Sequence, residues 1–92
     1  MIHCKEGTSR NEVVQYLEKN GIQTRMLFAG NLTRHPAYTL DPMVQEKSRI
    51  VGTLENTDRI MESAFWVGLY PGMTEAKLAF MAKKMKEAVG II

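Results

Sequence analysis

The chain has 92 residues, of which 45% are hydrophobic and 24% are charged, a composition typical of a folded domain and not of a disordered segment. Twelve basic residues against ten acidic ones leave a formal charge of +2, so neither nucleic acid nor an anionic membrane is an expected partner. One cysteine and no apolar run of membrane-spanning length exclude an internal disulfide and a spanning helix, and the expected location is the cytoplasm.

The first third of the chain predicts a strand, a helix and a second strand. Residues 2–4 have the character of a strand end. Ser9 and Glu12 are spaced as a capping box, which predicts that a helix begins there. Gly21 is expected to end the helix, because glycine adopts the left-handed conformation at little cost. Residues 22–28 are β-branched and apolar and predict a strand that leads into a loop. The apolar face of the helix is expected to consist of Val13, Val14, Tyr16 and Leu17.

The rest of the chain predicts a long loop, two more helices and one strand. Residues 32–52 contain two prolines and scattered charges, which predicts loop with at most a turn or two of helix. The Asn-Thr-Asp run at residues 56–58 predicts the N-cap of the second helix. Residues 65–70 predict an aromatic-rich strand that Pro71 stops. Thr74 is expected to cap the last helix, whose apolar stripe comprises Leu78, Met81, Ala82, Met85 and Val89.

This order of elements predicts an α/β (α+β) fold, a two-layer sandwich in which a small sheet carries helices on one face. We expect residues 1–92 to form a single domain. The other sheet face is left uncovered, and Phe80 is expected to point away from the core stripe of its helix. Both features are typical of surfaces that a partner buries, although single exposed aromatic residues are also common in monomers.

The residues best suited to bind a ligand gather at residues 24–34. There a predicted strand leads two arginines, a phenylalanine and an asparagine into a turn around a glycine. Guanidinium groups suit phosphate and diphosphate, an amide can exchange hydrogen bonds with a sugar hydroxyl, and an aromatic ring can line one side of a pyranose. The candidate substrate-binding residues are therefore Arg25, Phe28, Asn31 and Arg34. The alternative interpretation is a solvated strand end with a glycine turn.

The remaining reactive residue types indicate no catalytic or metal site. Paired carboxylates do not converge on one helix face, and the sequence has no phosphate-binding glycine loop. His3, His35 and Cys4 lack the spacing of zinc ligands. We expect Cys4 to be a small buried apolar residue and His35 to be an exposed loop histidine. We therefore predict no catalytic, cofactor-binding or metal-binding residue in the chain.

Five blocks in a fixed order resemble the sugar 3-dehydratases of the DegT/DnrJ/EryC1/StrS aminotransferase superfamily. They are Arg-Asn-Glu at 10–12, Gly-Ile-Gln-Thr-Arg at 21–25, Leu-Phe-Ala-Gly-Asn-Leu-Thr-Arg at 27–34, Asn-Thr-Asp-Arg-Ile-Met at 56–61, and Phe-Trp-Val-Gly-Leu-Tyr-Pro-Gly-Met-Thr at 65–74. The third and fifth blocks resemble the branch of CDP-4-keto-6-deoxyglucose 3-dehydrases, which act in the synthesis of lipopolysaccharide dideoxysugars.

The resemblance implies the C-terminal small domain of a fold-type I enzyme that uses pyridoxal phosphate (PLP) or pyridoxamine phosphate (PMP) to remove a sugar 3-hydroxyl. Such enzymes are usually homodimers with the active site between large and small domains, and some add a two-iron iron–sulfur cluster. The resemblance also implies that the small sheet is mostly antiparallel. The cofactor and the catalytic histidine are then expected in a missing N-terminal large domain, so that the isolated chain is inactive. The resemblance assigns the sugar-pocket wall to Phe28, Asn31 and Arg34, with Arg25 behind them.

Two alternatives remain open at this point. The chain could be a stand-alone α/β module for ligand binding or oligomerisation, with the uncovered sheet face and Phe80 as its interface. It could also be the tail of a nucleotide-sugar aminotransferase. That second alternative differs from the dehydratase only in the catalytic base of the missing domain, where a lysine would replace the histidine.

Overall fold

The computed structural model describes residues 1–90, which form three strands and five α-helices. The strands pair in the order β1-β3-β2, and both pairs are antiparallel. The predicted α+β fold with a small antiparallel sheet is therefore confirmed. In chain order the elements are β1 (Ile2–His3), α1 (Arg10–Lys19), β2 (Thr24–Arg25), a 3-10 helix (Leu32–Arg34), α2 (Pro36–Thr39), α3 (Pro42–Lys47), α4 (Glu55–Ser63), β3 (Ala64–Val67) and α5 (Glu75–Ala88).

Helix α1 begins and ends where local sequence signals place it. The hydroxyl of Ser9 accepts a hydrogen bond from the amide of Glu12 at 3.3 Å, and Gly21 follows the helix with a φ of +78°. Both the predicted N-cap and the predicted glycine stop are confirmed. The buried residues of the helix are Val13, Val14 and Leu17, while Tyr16 is half-buried.

The core lies between the sheet and helices α1 and α5. Its two most deeply buried large side chains are Phe65 on β3 and Leu17 on α1, and Met81 of α5 packs beside them. Cys4 belongs to the same core, as predicted, and its burial raises the pKa of the thiol. At the contact between the two helices, the Tyr16 hydroxyl donates to Glu87 at 2.5 Å.

Helix α5 confirms its predicted cap but only part of its predicted stripe. The Thr74 hydroxyl accepts from the amide of Lys77 at 3.2 Å. Met81 is buried and Met85 is half-buried, but Ala82 is exposed, and Leu78 and Val89 are 41% and 42% exposed. Within residues 1–90 the helix packs mainly on α1 and not on the short strands, so only part of the stripe is covered. Phe80 is exposed, in agreement with its expected outward position.

The two long predicted strands are shorter than expected. Hydrogen-bonded pairing joins only Thr24 with Val67 and Arg25 with Trp66, so β2 holds two residues instead of residues 22–28. A strand exists only where a neighbour pairs with it, and β3 itself ends at Val67. Phe28 consequently lies beyond the sheet, in the left-handed region with a φ of +40°.

Residues 32–54 contain more helix than predicted, and α4 begins differently. Pro36 and Pro42 stand at the first turn of α2 and α3, where proline favours a helix start because its missing N–H would be unpaired there. Helix α4 follows Leu54, which has a φ of 56° and gives no side-chain cap. The prediction of an N-cap at residues 56–58 is therefore wrong, and the Asp58 carboxylate is bound elsewhere.

The molecule is elongated and carries an apolar extension, defined here as residues 36–51. Its principal extents are 53 × 30 × 21 Å, and the Cα radius of gyration of 16.9 Å exceeds the value of about 12 Å for a compact domain of this length. Exposed apolar side chains of the extension include Leu40, Met43, Ile50 and Val51. Among residues 1–90, no helix combines the length and apolar character that crossing a membrane requires.

Candidate functional site

An aromatic pair and an arginine lie on the sheet face opposite the core. Successive residues of a strand point to opposite faces, so Phe65 enters the core while Trp66 points to the other side. Arg25 is the cross-strand partner of Trp66, which places both side chains on that same face. The Phe28 ring packs edge-to-face against Trp66, with centroids 5.4 Å apart and planes at 81°. Phe28 is nevertheless 85% exposed.

The turn that displays Phe28 depends on Gly30. Its φ is +66°, and a Cβ at this position would lie 2.3 Å from the Cγ and 2.8 Å from the Cβ of Met61 on α4. Only glycine therefore fits, for both backbone and steric reasons. The Nε2–H of His35 donates to the carbonyl of Ala29 at 2.5 Å. His35 is half-buried and supports the turn, so its prediction as an exposed loop histidine is wrong.

Asn31 is an internal member of this turn. It is 3% exposed, and its Oδ1 accepts from the amide and the hydroxyl of Thr33 at 3.0 and 2.6 Å. Its Nδ2 donates to Oδ1 of Asp58 at 2.8 Å. Both ends of the amide side chain are thus used within the protein, where they fix the start of the 3-10 helix.

Arg34 binds the same carboxylate as Asn31. Its Nε donates to Oδ1 of Asp58 at 2.7 Å, and its Nη2 donates to Oδ2 at 2.5 Å. This paired geometry is the strongest arrangement of guanidinium and carboxylate. The hydrogen bonds from Arg34, and then the one from Asn31, lower the pKa of Asp58 from its usual 3.8, and Asp58 in turn raises the pKa of Arg34.

Two groups of residues therefore make up the candidate site. Phe28, Arg25 and Trp66 form its exposed part, and the second group, which we call the anchor cluster, fixes the turn to α4. The sequence predicted Arg25, Phe28, Asn31 and Arg34 but missed Trp66 and Asp58. The Asn-Thr-Asp run predicts a helix cap, so Asp58 carries no sequence signal for a role in the site except its place in a family block. The anchor cluster consists of Gly30, Asn31, Arg34, Asp58 and Met61.

The residues of the candidate site carry aromatic, amide and guanidinium groups, which suit binding. Across residues 1–90, no three His, Cys, Asp or Glu side chains come together in a way that could hold a metal ion. Every buried side-chain nitrogen or oxygen described over that range has a hydrogen-bond partner, so no buried polar group is aimed at an absent cofactor. At the candidate site, the exposed ring and guanidinium groups can bind and orient a ligand.

Comparison with known proteins decides the family. The model of the DegT/DnrJ/EryC1/StrS aminotransferase family matches residues 1–86. The chain belongs to this family. It is 45% identical over 85 residues to the lipopolysaccharide biosynthesis protein RfbH of Salmonella typhimurium, a match that covers 92% of the chain. It is 39% identical over 88 residues, or 96% of the chain, to the dTDP-4-dehydro-2,6-dideoxy-D-glucose 3-dehydratase of Saccharopolyspora spinosa.

The matches leave most of each DegT/DnrJ/EryC1/StrS relative uncovered. The aligned residues of this chain span 18% of the length of RfbH and 18% of the length of the 3-dehydratase. The family resemblance drawn from the five sequence blocks is confirmed. The matched part of the chain also includes every residue of the exposed group and of the anchor cluster.

Proposed function

We propose that this chain is the small-domain part of a PLP- or PMP-dependent nucleotide-sugar 3-dehydratase, and that residues 25–34 form one wall of its sugar site. The observation that carries the proposal is the Phe28 ring, 85% exposed yet held against Trp66 by a turn that only glycine permits. The left-handed backbone of Phe28 costs energy that one edge-to-face contact of an exposed ring offsets only in part, and such features concentrate at ligand sites.

The chemistry around Phe28 suits a sugar diphosphate. An aromatic ring packs against the C–H face of a pyranose, and guanidinium groups bind phosphate oxygens. Arg25 donates one N–H to the carbonyl of Thr24 at 3.0 Å, which leaves four of the five guanidinium hydrogens. The Arg34 side chain is 62% exposed, so its outer edge can also donate while Asp58 holds the inner one.

Asn31 has a more limited part in this proposal. Because it is 3% exposed and bound to Thr33 and Asp58, it offers the substrate only the second hydrogen of its Nδ2. We therefore assign direct contacts mainly to Arg25, Phe28 and Arg34. Asn31 contributes above all to the shape of the turn.

The proposal requires a companion large domain, and two observations support one. The chain spans 18% of each relative, and the apolar extension of residues 36–51 is a surface that a companion can bury. When bound in that domain, PLP or PMP would supply the electron sink for loss of the 3-hydroxyl. Residues of this chain would bind the sugar, orient it and help to exclude water.

Further parts of the proposal concern the whole protein. We infer a homodimer, as is usual in the family, and a cytoplasmic location, where a lone cysteine stays reduced. We assign no iron–sulfur cluster to this chain, whose single cysteine is buried in the core. The family description also supports a second candidate, the tail of a nucleotide-sugar aminotransferase, in which these residues would bind the same class of substrate.

A chimeric enzyme tests the proposed function. The aligned segment of the S. spinosa 3-dehydratase is replaced by this chain, and turnover, product identity and KM are measured. We expect 3-dehydratase activity, and we expect Phe28→Ala to raise KM by about tenfold, the equivalent of one lost packing contact. Phe28→Tyr keeps the ring and should keep KM.

The control for Phe28→Ala is Leu69→Ala, which removes another apolar side chain, 75% exposed, beyond the end of β3. A folded, cofactor-loaded chimera without 3-dehydratase turnover would overturn the small-domain assignment. The aminotransferase candidate is decided by the catalytic base of this protein's own large domain, where a lysine in place of the histidine would overturn the dehydratase assignment. Equal KM values for Phe28→Ala and Leu69→Ala would overturn the sugar-wall role. A stand-alone module predicts a stable dimer of the isolated chain in sedimentation, whereas the small-domain proposal predicts weak association.

A further inference from the structure

The inference that follows rests on the proposed function and concerns how the Phe28 ring is held in place. We propose that Asp58 is a positioning residue, which fixes the ring at the sugar site by binding Asn31 and Arg34 together. All the side-chain hydrogen bonds of Asp58 described within residues 1–90 go to Asn31 and Arg34. Its effect on the substrate is exerted through the turn.

Asp58 joins the turn to helix α4 across a long distance in sequence. It accepts from Asn31, 27 positions earlier, and from Arg34, 24 positions earlier. Three hydrogen bonds with donor–acceptor distances of 2.5–2.8 Å end on its two oxygens. The Asp58 side chain is 17% exposed, and its bond from Asn31 is partly buried, whereas the two bonds from Arg34 lie at the surface. The paired, charged geometry of the Arg34 bonds is nevertheless a strong arrangement.

The backbone of Phe28 needs an external support of this kind. Its φ of +40° is costly for a residue with a Cβ, and its ring is too exposed to hold the backbone by burial. Local support comes from two tight backbone bonds, from the amide of Phe28 to the carbonyl of Met26 at 2.8 Å and from the amide of Gly30 to the carbonyl of Leu27 at 2.9 Å. Neither bond connects the turn to the rest of the fold.

Asp58 and Trp66 hold the turn from one continuous part of the chain. Helix α4 ends at Ser63 and β3 begins at the next residue, so the carboxylate and the indole have a fixed relation to one another. The indole contacts the Phe28 ring, while the carboxylate holds residues 31 and 34 just beyond it. If the carboxylate is lost, the turn keeps its local bonds and the contacts of Gly30 and Asn31 with Met61, but it loses its charged hydrogen bonds to α4.

The test follows the position of the Phe28 ring in the 92-residue chain through the NMR chemical shifts of the Trp66 indole protons. The ring lies edge-to-face on Trp66, so ring currents shift the indole proton signals, and Phe28→Leu defines those signals without the ring. We expect Asp58→Asn to move the indole shifts at least about halfway toward the Phe28→Leu values, while far-UV circular dichroism stays unchanged. Arg34→Gln should shift the indole signals in the same direction. The double variant should add little, because both changes break the same Arg34–Asp58 pair.

The matched control is Glu55→Gln. Glu55 and Asp58 are both acidic residues in the first turn of α4, so this variant removes a similar favourable interaction with the helix dipole without touching the turn. It should leave the indole shifts unchanged. If Asp58→Asn lowers the melting temperature while the indole shifts stay at wild-type values, Asp58 is merely structural and the proposal is wrong. If Asp58→Asn fails to fold, Arg34→Gln decides the question by the same shifts.

A binding measurement separates this inference from the proposed function. In the chimeric enzyme, with dTDP-glucose as the probe, we expect Asp58→Asn to bind about tenfold more weakly than the chimera with the wild-type chain and Glu55→Gln to bind within about twofold. Wild-type affinity in Asp58→Asn would overturn the positioning role. An absence of binding to the wild type would count against the sugar wall alone, since the indole shifts still show whether Asp58 holds the ring.

Discussion

Replacement of Gly30 by alanine should destabilise the protein by two separable effects. An L-residue with a φ of +66° costs about 1–2 kcal/mol. The new Cβ would also lie 2.3 Å from the Met61 Cγ and 2.8 Å from its Cβ, and the second of these atoms cannot move without the helix. Overpacking of this kind adds about 1–3 kcal/mol. The expected total is about 2–5 kcal/mol, which lowers the melting temperature by at least about 10 °C for a domain of this size.

Gly21→Ala provides the matched comparison for Gly30→Ala. Gly21 has a φ of +78°, but a methyl group added there would meet nothing within 4 Å among residues 1–90 apart from its chain neighbours, so only the backbone cost applies. Urea unfolding of both variants should show Gly30→Ala to be the less stable by about 1–3 kcal/mol. Equal loss of stability in the two variants would refute the close approach of Gly30 to Met61, and with it the packing of the turn on α4.

Two further predictions concern the core and the response to acid. Leu17→Ala, at a position with 0% exposure, should lower the free energy of unfolding by about 2–5 kcal/mol, and a loss below about 1 kcal/mol in urea unfolding would contradict its central place in the core. Hydrogen bonds from the amide and hydroxyl of Thr24 hold the pKa of Glu18 below its usual 4.5, so this stabilisation is present above about pH 4.5 and is lost as the pH falls through the folded-state pKa. Between about pH 5 and pH 3, Glu18→Gln should therefore lose less stability than wild type in urea titrations. An identical dependence of the unfolding free energy on pH in the two proteins would contradict the contact between Glu18 and Thr24.

The features that the sequence predicted well are those set by neighbouring residues. The Ser9 cap, the Gly21 stop and the Thr74 cap each depend on contacts within about one helical turn, and all three are present. Strand length is different, because it depends on pairing with a distant strand. Residues 22–28 have β propensity throughout, yet only Thr24 and Arg25 find partners on β3.

The candidate site shows the same division between local and distant determinants. Residue types identified the turn, and Gly30 has the positive φ that its central place suggests. The use of each side chain depends on Asp58, which lies more than 20 positions away. Sequence alone therefore could not distinguish Asn31, buried within the turn, from Phe28, displayed on its surface.

The prolines of the apolar extension illustrate a further limit. Proline both breaks helices and starts them, and the choice depends on whether its position falls in the first helical turn. Pro36 and Pro42 occupy that position in α2 and α3. Because the two prolines also predict helix breaks, the sequence does not predict the two short helices of four and six residues.

A crystal structure of the chimeric 3-dehydratase with its bound nucleotide sugar is the most direct test of the central claim, that the turn at residues 28–34 faces the substrate. The account predicts the Phe28 ring within about 4 Å of sugar carbon atoms, with the Arg34–Asp58 pair intact behind it. A sugar bound away from residues 25–34, with Phe28 still in solvent, would contradict it.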